Sequence, residues 1–380
     1  MNKTLFILGF SSVALLSCKK EGCMDSTALN YNEEAKKDDG SCEYFQLTVP
    51  TTYSFTDGTN NTVSYGGQTE RLDQLTEMTT YMKTGISGVL TNQALTDMFA
   101  NTGGNGGGNF SFTSTKKLMD KCLAADTSLF IDHMDSLAIA SQDYASVASD
   151  GQAGTLTSGT STYLFAANGI EYTQLIEKGL MGAVFMYQAT QIYFGSGKMN
   201  VDNTTAVDAG AGEYYTEMEH HWDEAFGYFG VPVDFPTNTS GIRFWGKYCN
   251  SRNGDLGCNA VMMNGFLRGR AAISQDALDI RDEEILNIRK MWEKISARQA
   301  VQYLEDAKSN FGVDNALFLH QLSEAYAFIM CLKYVPLETR VITYTEIETL
   351  LDTNIGTDFW QVTQIDLTNA INSLNSIYGF

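Results

Sequence analysis

The sequence predicts an all-α protein: one or two helical bundles with long loops, standing behind a short disulfide-stapled stalk and a few β-prone segments. Three observations predict it. Long stretches place apolar residues three and four apart, the spacing of one helix face. The four prolines stand at 50, 232, 236 and 336, outside all of those stretches, so none of them is broken by a missing backbone donor. About 335 residues remain after the stalk, enough chain to bury one large bundle or two smaller ones.

The N-terminus, MNKTLFILGFSSVALLSC, has one lysine, then an apolar run too short to span a bilayer, then Leu15-Leu16-Ser17-Cys18. That order is the layout of a secretory signal over residues 1–17. A cysteine directly after Leu-Leu-Ser resembles a bacterial lipobox, which implies cleavage before Cys18 and its acylation; the bland alternative is an ordinary signal with an incidental cysteine. Several acyl chains on one residue anchor a protein stably, so the expectation is a lipoprotein held to the outer membrane of a Gram-negative cell, on either face.

Six cysteines remain, in a compartment where disulfides persist. Cys23 and Cys42 bracket a small polar stretch with almost no core and are expected to be bridged, forming with the anchor a module over 18–45. Cys249 and Cys258 enclose eight residues and are the second expected pair. Cys122 and Cys331 lie in apolar surroundings and read equally as buried thiols or as a bridge. The stretch Gly22 to Cys42 resembles a short module of secreted and surface proteins of Gram-negative bacteria. In it Asp25, Asn30, Asp38 and Asp39 offer the hard oxygen ligands calcium prefers, although the same residues are ordinary turn formers.

Residues 46–68 read as extended and β-prone, and the helical domain is expected over 69–380. Helices are predicted from Thr69, across SLFIDHMDSLAIASQDYASVA, across TYLFAANGIEYTQLIEKGLMGAVFMYQATQIYF, and in the two long segments beginning DALDIRDEE and DNALFLHQ. Between them ANTGGNGGGNF, residues 100–110, lacks the Gly-Lys-Ser/Thr of a phosphate loop and reads as a flexible connection. The stretch from Gly230 to Cys258 reads as a long irregular loop. Its Arg243, Phe244, Trp245, Lys247 and Tyr248 are candidates for docking a partner, such as an outer-membrane receptor or complex.

The net charge of −20, from 45 acids against 25 bases, excludes nucleic acid as a partner, because phosphates demand clustered Lys and Arg. It is compatible with cation capture, and solubility alone also explains it. Two of the four histidines stand side by side in EYYTEMEHHWDEAFGYFG, residues 213–230, read throughout as helix. At about 100° per residue, Glu217, His221, Glu224 and Tyr228 share one stripe, beside an apolar stripe of Met218, Trp222, Phe226 and Phe229. His220 is turned away. His320 and Glu324 repeat the pattern in a later apolar segment, and Glu171 and Glu177 lie on an earlier one. Imidazole with carboxylates suits iron, zinc or manganese, and a bundle assembles such ligands from facing helices. The expected metal ligands are therefore Glu217, His221, Glu224, His320 and Glu324, against the plainer reading of buried polar pairs.

His221-Trp222-Asp223-Glu224 resembles the His-x-x-Glu core of the imelysin family, with Glu219 where that motif carries glycine. VSYGGQTERLDQL, LIEKGLMGAVFMYQA, HHWDEAFGYFGVPVDFP, RFWGKYCNSRN and GRAAI are similar to a lipoprotein branch of imelysin-like proteins catalogued as a domain of unknown function, over most of residues 60–380. The resemblance implies a helical bundle, metal or haem binding and a part in iron uptake, with His221 and Glu224 matching the metal motif. Peptidase chemistry finds no support: HHWDE is not HExxH, and neither a G-x-S-x-G elbow nor a cysteine with a matching His and Asn context occurs. The expectation is a metal- or haem-binding lipoprotein for uptake. The alternatives are an accessory lipoprotein docking on an outer-membrane complex and, last, a hydrolase.

Overall fold

A computed structural model describes residues 19–380, so the expected signal segment and the acylation site Cys18 lie outside the described residues. Two compact units divide the chain after Thr48.

In the first unit, β1 (Glu21–Gly22) pairs in parallel with β2 (Lys37–Asp38), and a disulfide joins Cys23 to Cys42 as the sequence predicts. So short a segment buries little beyond Cys23, Ala28 and Ala35, so the covalent bond supplies the restraint a core would supply elsewhere.

The second unit begins at Val49, so most of the extended segment belongs to the helical domain rather than to a linker. There β3 (Thr56–Asp57) and β4 (Asn60–Asn61) form a tight antiparallel hairpin, preceded by Tyr53, whose ring stacks on Phe226 at 3.7 Å between centroids. Then follow α1 (Gly66–Lys83), α2 (Asn92–Ala100) and α3 (Thr127–Ala140). Residues 101–116 are not a loose connection. The amide of buried Asn101 donates to the carbonyls of Ser114 and Lys116, each at 2.7 Å, and its Oδ1 accepts from Gly106 N at 2.9 Å. Gly103, Gly104, Gly106, Gly107 and Gly108 all adopt positive φ around that amide, a conformation open to glycine at no steric cost.

TYLF does not open a helix: β5 (Gly154–Ser158) and β6 (Ser161–Phe165) form a hairpin, and α4 (Tyr172–Leu180) begins only after it. Alternating β-branched and aromatic residues on both sides of Ser158-Gly159-Thr160-Ser161 favour that hairpin over a helix. Two π-helical stretches, Met181–Met186 and Gln188–Tyr193, continue α4. Beyond α5 (Ser196–Met199), β7 (Ala206–Asp208) pairs with β8 (Glu213–Thr216), so EYYT is a strand and the helix predicted from 213 starts at 217.

The remaining helices are α6 (Glu217–Phe229), α7 (Phe244–Leu256), α8 (Cys258–Ser274), α9 (Leu278–Asn310), α10 (Asn315–Cys331), α11 (Tyr344–Glu348) and α12 (Gln364–Tyr378). At 33 residues, α9 is the spine, with α8, α10 and α12 packed along it. Its Ile285, Ile288, Trp292 and Ile295, spaced three, four and three apart, are all buried. Each such side chain contributes about 1.5–3 kcal/mol through removal from water. The fold is thus mainly α, as predicted. Trp222 of α6 packs closely against α8: a Cβ at Gly269 would meet its ring at 2.1 Å, and its indole N–H donates to Phe266 O at 3.0 Å. That contact fixes how α6 is rotated, and hence which way its histidines point.

Candidate functional site

α6 starts at a capping box: Thr216 Oγ1 accepts from Glu219 N at 3.2 Å, and Glu219 Oε2 accepts from Thr216 N at 3.0 Å. It ends at Gly230, whose φ of 77° closes the last turn. Within it three faces do different work. Asp223 and Glu219 turn inward to Arg270 of α8, at 3.0 and 2.6 Å, and Tyr53 donates to Asp223 Oδ1 at 2.7 Å. Burial raises the Asp223 carboxyl to about 6, against the pull of Arg270 and Tyr53. Glu219, at the position where the imelysin motif has glycine, is therefore both cap and ion-pair partner.

The second face carries Glu217, His221 and Glu224. His221 Nδ1 donates to Glu224 Oε2 at 3.1 Å. Glu224 Oε1 accepts from Gln68 of α1 at 2.8 Å and from Tyr193, at the end of the π-helical segment, at 3.1 Å. Burial pushes Glu224 up, but the bond from His221, the charge of His220 and the Gln68 amide outweigh it and hold the carboxyl at about 2. Nε2 of His221 is buried and makes no hydrogen bond, and Glu217 Oε1 lies 3.5 Å from it. With the ring neutral and its one proton on Nδ1, two groups that can only accept face one another at Nε2; moving that proton to Nε2 would set bare Nδ1 against Glu224 instead, whereas a second ring proton or a metal ion relieves both contacts. Among the described residues no Lys or Arg pairs with Glu217 or Glu224.

The third face carries His220. Its Nδ1 donates to Ser64 O at 3.1 Å, its ring stacks on Tyr215 at 4.8 Å, and its Nε2 is 4.0 Å from Glu224. Burial lowers its pKa.

His320 and Glu324 do not complete this site. His320 Nδ1 donates to Glu171 Oε2 at 2.6 Å, its Nε2 is 3.4 Å from Glu324, and its ring stacks on Tyr163. Lys178, buried, lies 2.7 Å from Glu177 and 3.4 Å from Glu324. Burial alone would lower the His320 pKa, but Glu171 and then Glu324 raise it above the ordinary value. The expected set of five ligands is therefore two clusters, and among the described residues no group of three or more His, Cys, Asp or Glu is placed to hold a metal ion together.

Asp25, Asp38 and Asp39 spend side-chain oxygens on the backbone N–H groups of Thr27, Gly40 and Ser41, and Asn30 on Glu43, so they act as turn caps rather than a gathered calcium cage. Cys249 and Cys258 are free, buried thiols: Cys258 Sγ points at the carbonyl of Cys249 and Cys249 Sγ at Asn259, correcting the expected bridge. Of the expected loop from Gly230 to Cys258, the part carrying most of the docking set is α7 rather than irregular chain. Its Phe244, Trp245 and Tyr248 are buried, with the Trp245 indole donating to Met181 O at 2.8 Å. Arg243 pairs with Asp73, which leaves Lys247 as the exposed member.

Gln68, Tyr193, Lys178 and Arg270 were missed. Tyr193 and Gln68 reach Glu224 across 31 and 156 positions, Arg270 reaches Asp223 across 47, and Lys178 reaches Glu324 from another helix; no local spacing signals these contacts. Comparison with curated proteins and with solved structures finds no match. Residues 50–380 match the family described as Domain of unknown function (DUF4856), and the chain therefore belongs to it.

Proposed function

We propose that the protein is a cell-envelope lipoprotein, tethered to the outer membrane through Cys18, whose helical domain binds a transition-metal ion at His221 and Glu217 in the service of iron or other metal uptake. One observation carries the reading: buried Nε2 of His221 has no hydrogen bond and faces Glu217, while Nδ1 is held by Glu224. A ligating histidine is ordinarily oriented in this way by a carboxylate on its other nitrogen. Imidazole and carboxylate suit zinc, iron and manganese. Glu224, expected as a ligand, is in this reading the group that orients His221. The resemblance to the imelysin His-x-x-Glu core covers His221 and Glu224, and Glu217 enters from the geometry alone.

With two protein ligands the ion keeps positions open for water or for a donor brought by a carrier. Affinity is then modest and exchange easy, which suits transfer more than storage. His221 is only 7 % exposed, which favours a bare ion over haem.

Elemental analysis of protein purified without chelators, and calorimetric titration with Zn²⁺ and Mn²⁺, test the reading. His221→Ala is expected to abolish binding and Glu217→Gln to weaken it, while His220→Ala leaves most of it. Wild-type protein that takes up neither ion at micromolar concentration would leave the stripe a buried polar pair.

A further inference from the structure

The end of α1, the β5–β6 hairpin, the first turn of α4 and His320 of α10 border a cleft of about 250 Å³ that plays no part in the metal reading. Its inner wall holds Glu171, 5 % exposed. Glu171 Oε2 accepts from His320 and Oε1 accepts from Gln174 Nε2 at 3.1 Å, so each oxygen keeps a free lone-pair site. Lys83 also lines the cleft and is exposed. The lysines that form ion pairs among the described residues are Lys20, Lys37, Lys178 and Lys333; Lys83 makes none, and its charge acts on Glu177 only from farther off. Ile86, Leu164 and the ring of Tyr163 make the remaining wall apolar.

We infer that this cleft binds a small zwitterion of the α-amino acid type, with its ammonium toward Glu171, its carboxylate toward Lys83, and its side chain against Ile86, Leu164 and Tyr163. The competing classes fit less well. An inorganic anion would face a buried carboxylate. A metal ion would find one carboxylate, Glu171, and one imidazole, His320, on the wall, and the Nδ1 of that ring is already spent on Glu171. The volume is below the roughly 300–1,000 Å³ of sites for drug-sized ligands, which excludes a large one. A zwitterion matches one carboxylate and one ammonium free of any ion pair in a small, partly apolar space.

Calorimetric titration of the full helical chain with the free L-amino acids, at concentrations up to millimolar, is the test. At least one is expected to bind. Its N-acetyl and its C-terminal amide derivatives should each bind about tenfold or more weakly, because each loses one charge contact. Lys83→Met, an exposed change, should weaken binding of the parent by about the same factor and leave the thermal midpoint of the unliganded protein unchanged. Binding of none of the free amino acids, equal affinity for the capped forms, or an unchanged affinity in Lys83→Met would each overturn the proposal.

Discussion

Two clusters of this protein pair a histidine with carboxylates on a helix, one on α6 and one on α10, and they are completed in opposite ways. On α10, His320 stands between Glu171 and Glu324, and buried Lys178 stands between Glu324 and Glu177. Two cationic groups answer three carboxylates, and the raised pKa of His320 shows that its own proton is part of the balance. On α6, His221 also stands between two carboxylates, but no Lys or Arg pairs with either, and one ring nitrogen is left buried without a hydrogen bond. Similar helical spacing thus yields a closed ionic network in one place and an open one in the other. What separates them is contact: Lys178 of α4 touches Glu177 and Glu324, whereas Lys121, whose charge reaches Glu224, makes no ion pair with it.

The largest effect should come from opening the closed cluster. Lys178→Met leaves Glu177 and Glu324 buried without their cation, which should destabilise the domain by about 3–5 kcal/mol in denaturant unfolding. A loss under about 1 kcal/mol would show that the carboxylates find water or protons instead, and the contrast with α6 would disappear.

The next effect belongs to the open cluster. If it takes a metal, saturating Zn²⁺ should stabilise the wild type by about 2.7 kcal/mol at about 100 times Kd, and His221→Ala should erase that gain. An equal gain in His221→Ala would move the site elsewhere.

Acidity separates the histidines further. His133, away from both clusters, has its pKa lowered to about 4, chiefly by burial, and its Nε2 is unpartnered. Between about 6.5 and that value the unfolded chain binds the extra proton, so stability falls as pH drops through the window, by about 1–3 kcal/mol. His320 has the opposite sign. Its folded pKa is raised, so its contribution is fully present below about pH 6.5 and is lost as pH rises through the folded value. Comparing pH–stability curves of His133→Gln and His320→Gln with wild type checks both: the first should flatten the acid limb, the second the neutral limb. A neutral limb unchanged in His320→Gln would mean that Lys178 balances the α10 carboxylates without the ring proton.

The smallest effect is expected at Glu217, half exposed at the rim of the open cluster. Without metal, Glu217→Gln should change stability by no more than about 0.5 kcal/mol. A larger loss would show the protonated ring to be its standing partner, making the two clusters alike.

Much of this architecture was legible in the sequence, because it depends on neighbours a few residues away. The periodic apolar positions of α9 announce a buried helix whatever lies beside it. Thr216 and Glu219 cap α6 through contacts three residues apart. The facing of His221 toward Glu217 and Glu224, and of His320 toward Glu324, follows from spacings of three and four. Cys23 and Cys42 flank a segment too poor in apolar residues to hold itself together. Where local signals conflicted, as at TYLF and EYYT, the strand partner decided: each lies in a hairpin whose other strand supplies the hydrogen bonds.

What the sequence by itself determined is the helical class, the covalent staple of the first unit and the histidine–carboxylate spacing along α6 and α10. Tertiary structure alone decided which of those pairs is closed. Lys178 reaches Glu324 across 146 positions of sequence, and Gln68 reaches Glu224 across 156. It also decided that Phe244, Trp245 and Tyr248 are core rather than contact surface, and that Cys249 and Cys258 remain thiols. The physical reason is the same in each case. Spacing fixes direction within a turn or two of one helix, whereas burial and charge balance belong to whatever another element brings against it, and nothing in the local pattern encodes that neighbour.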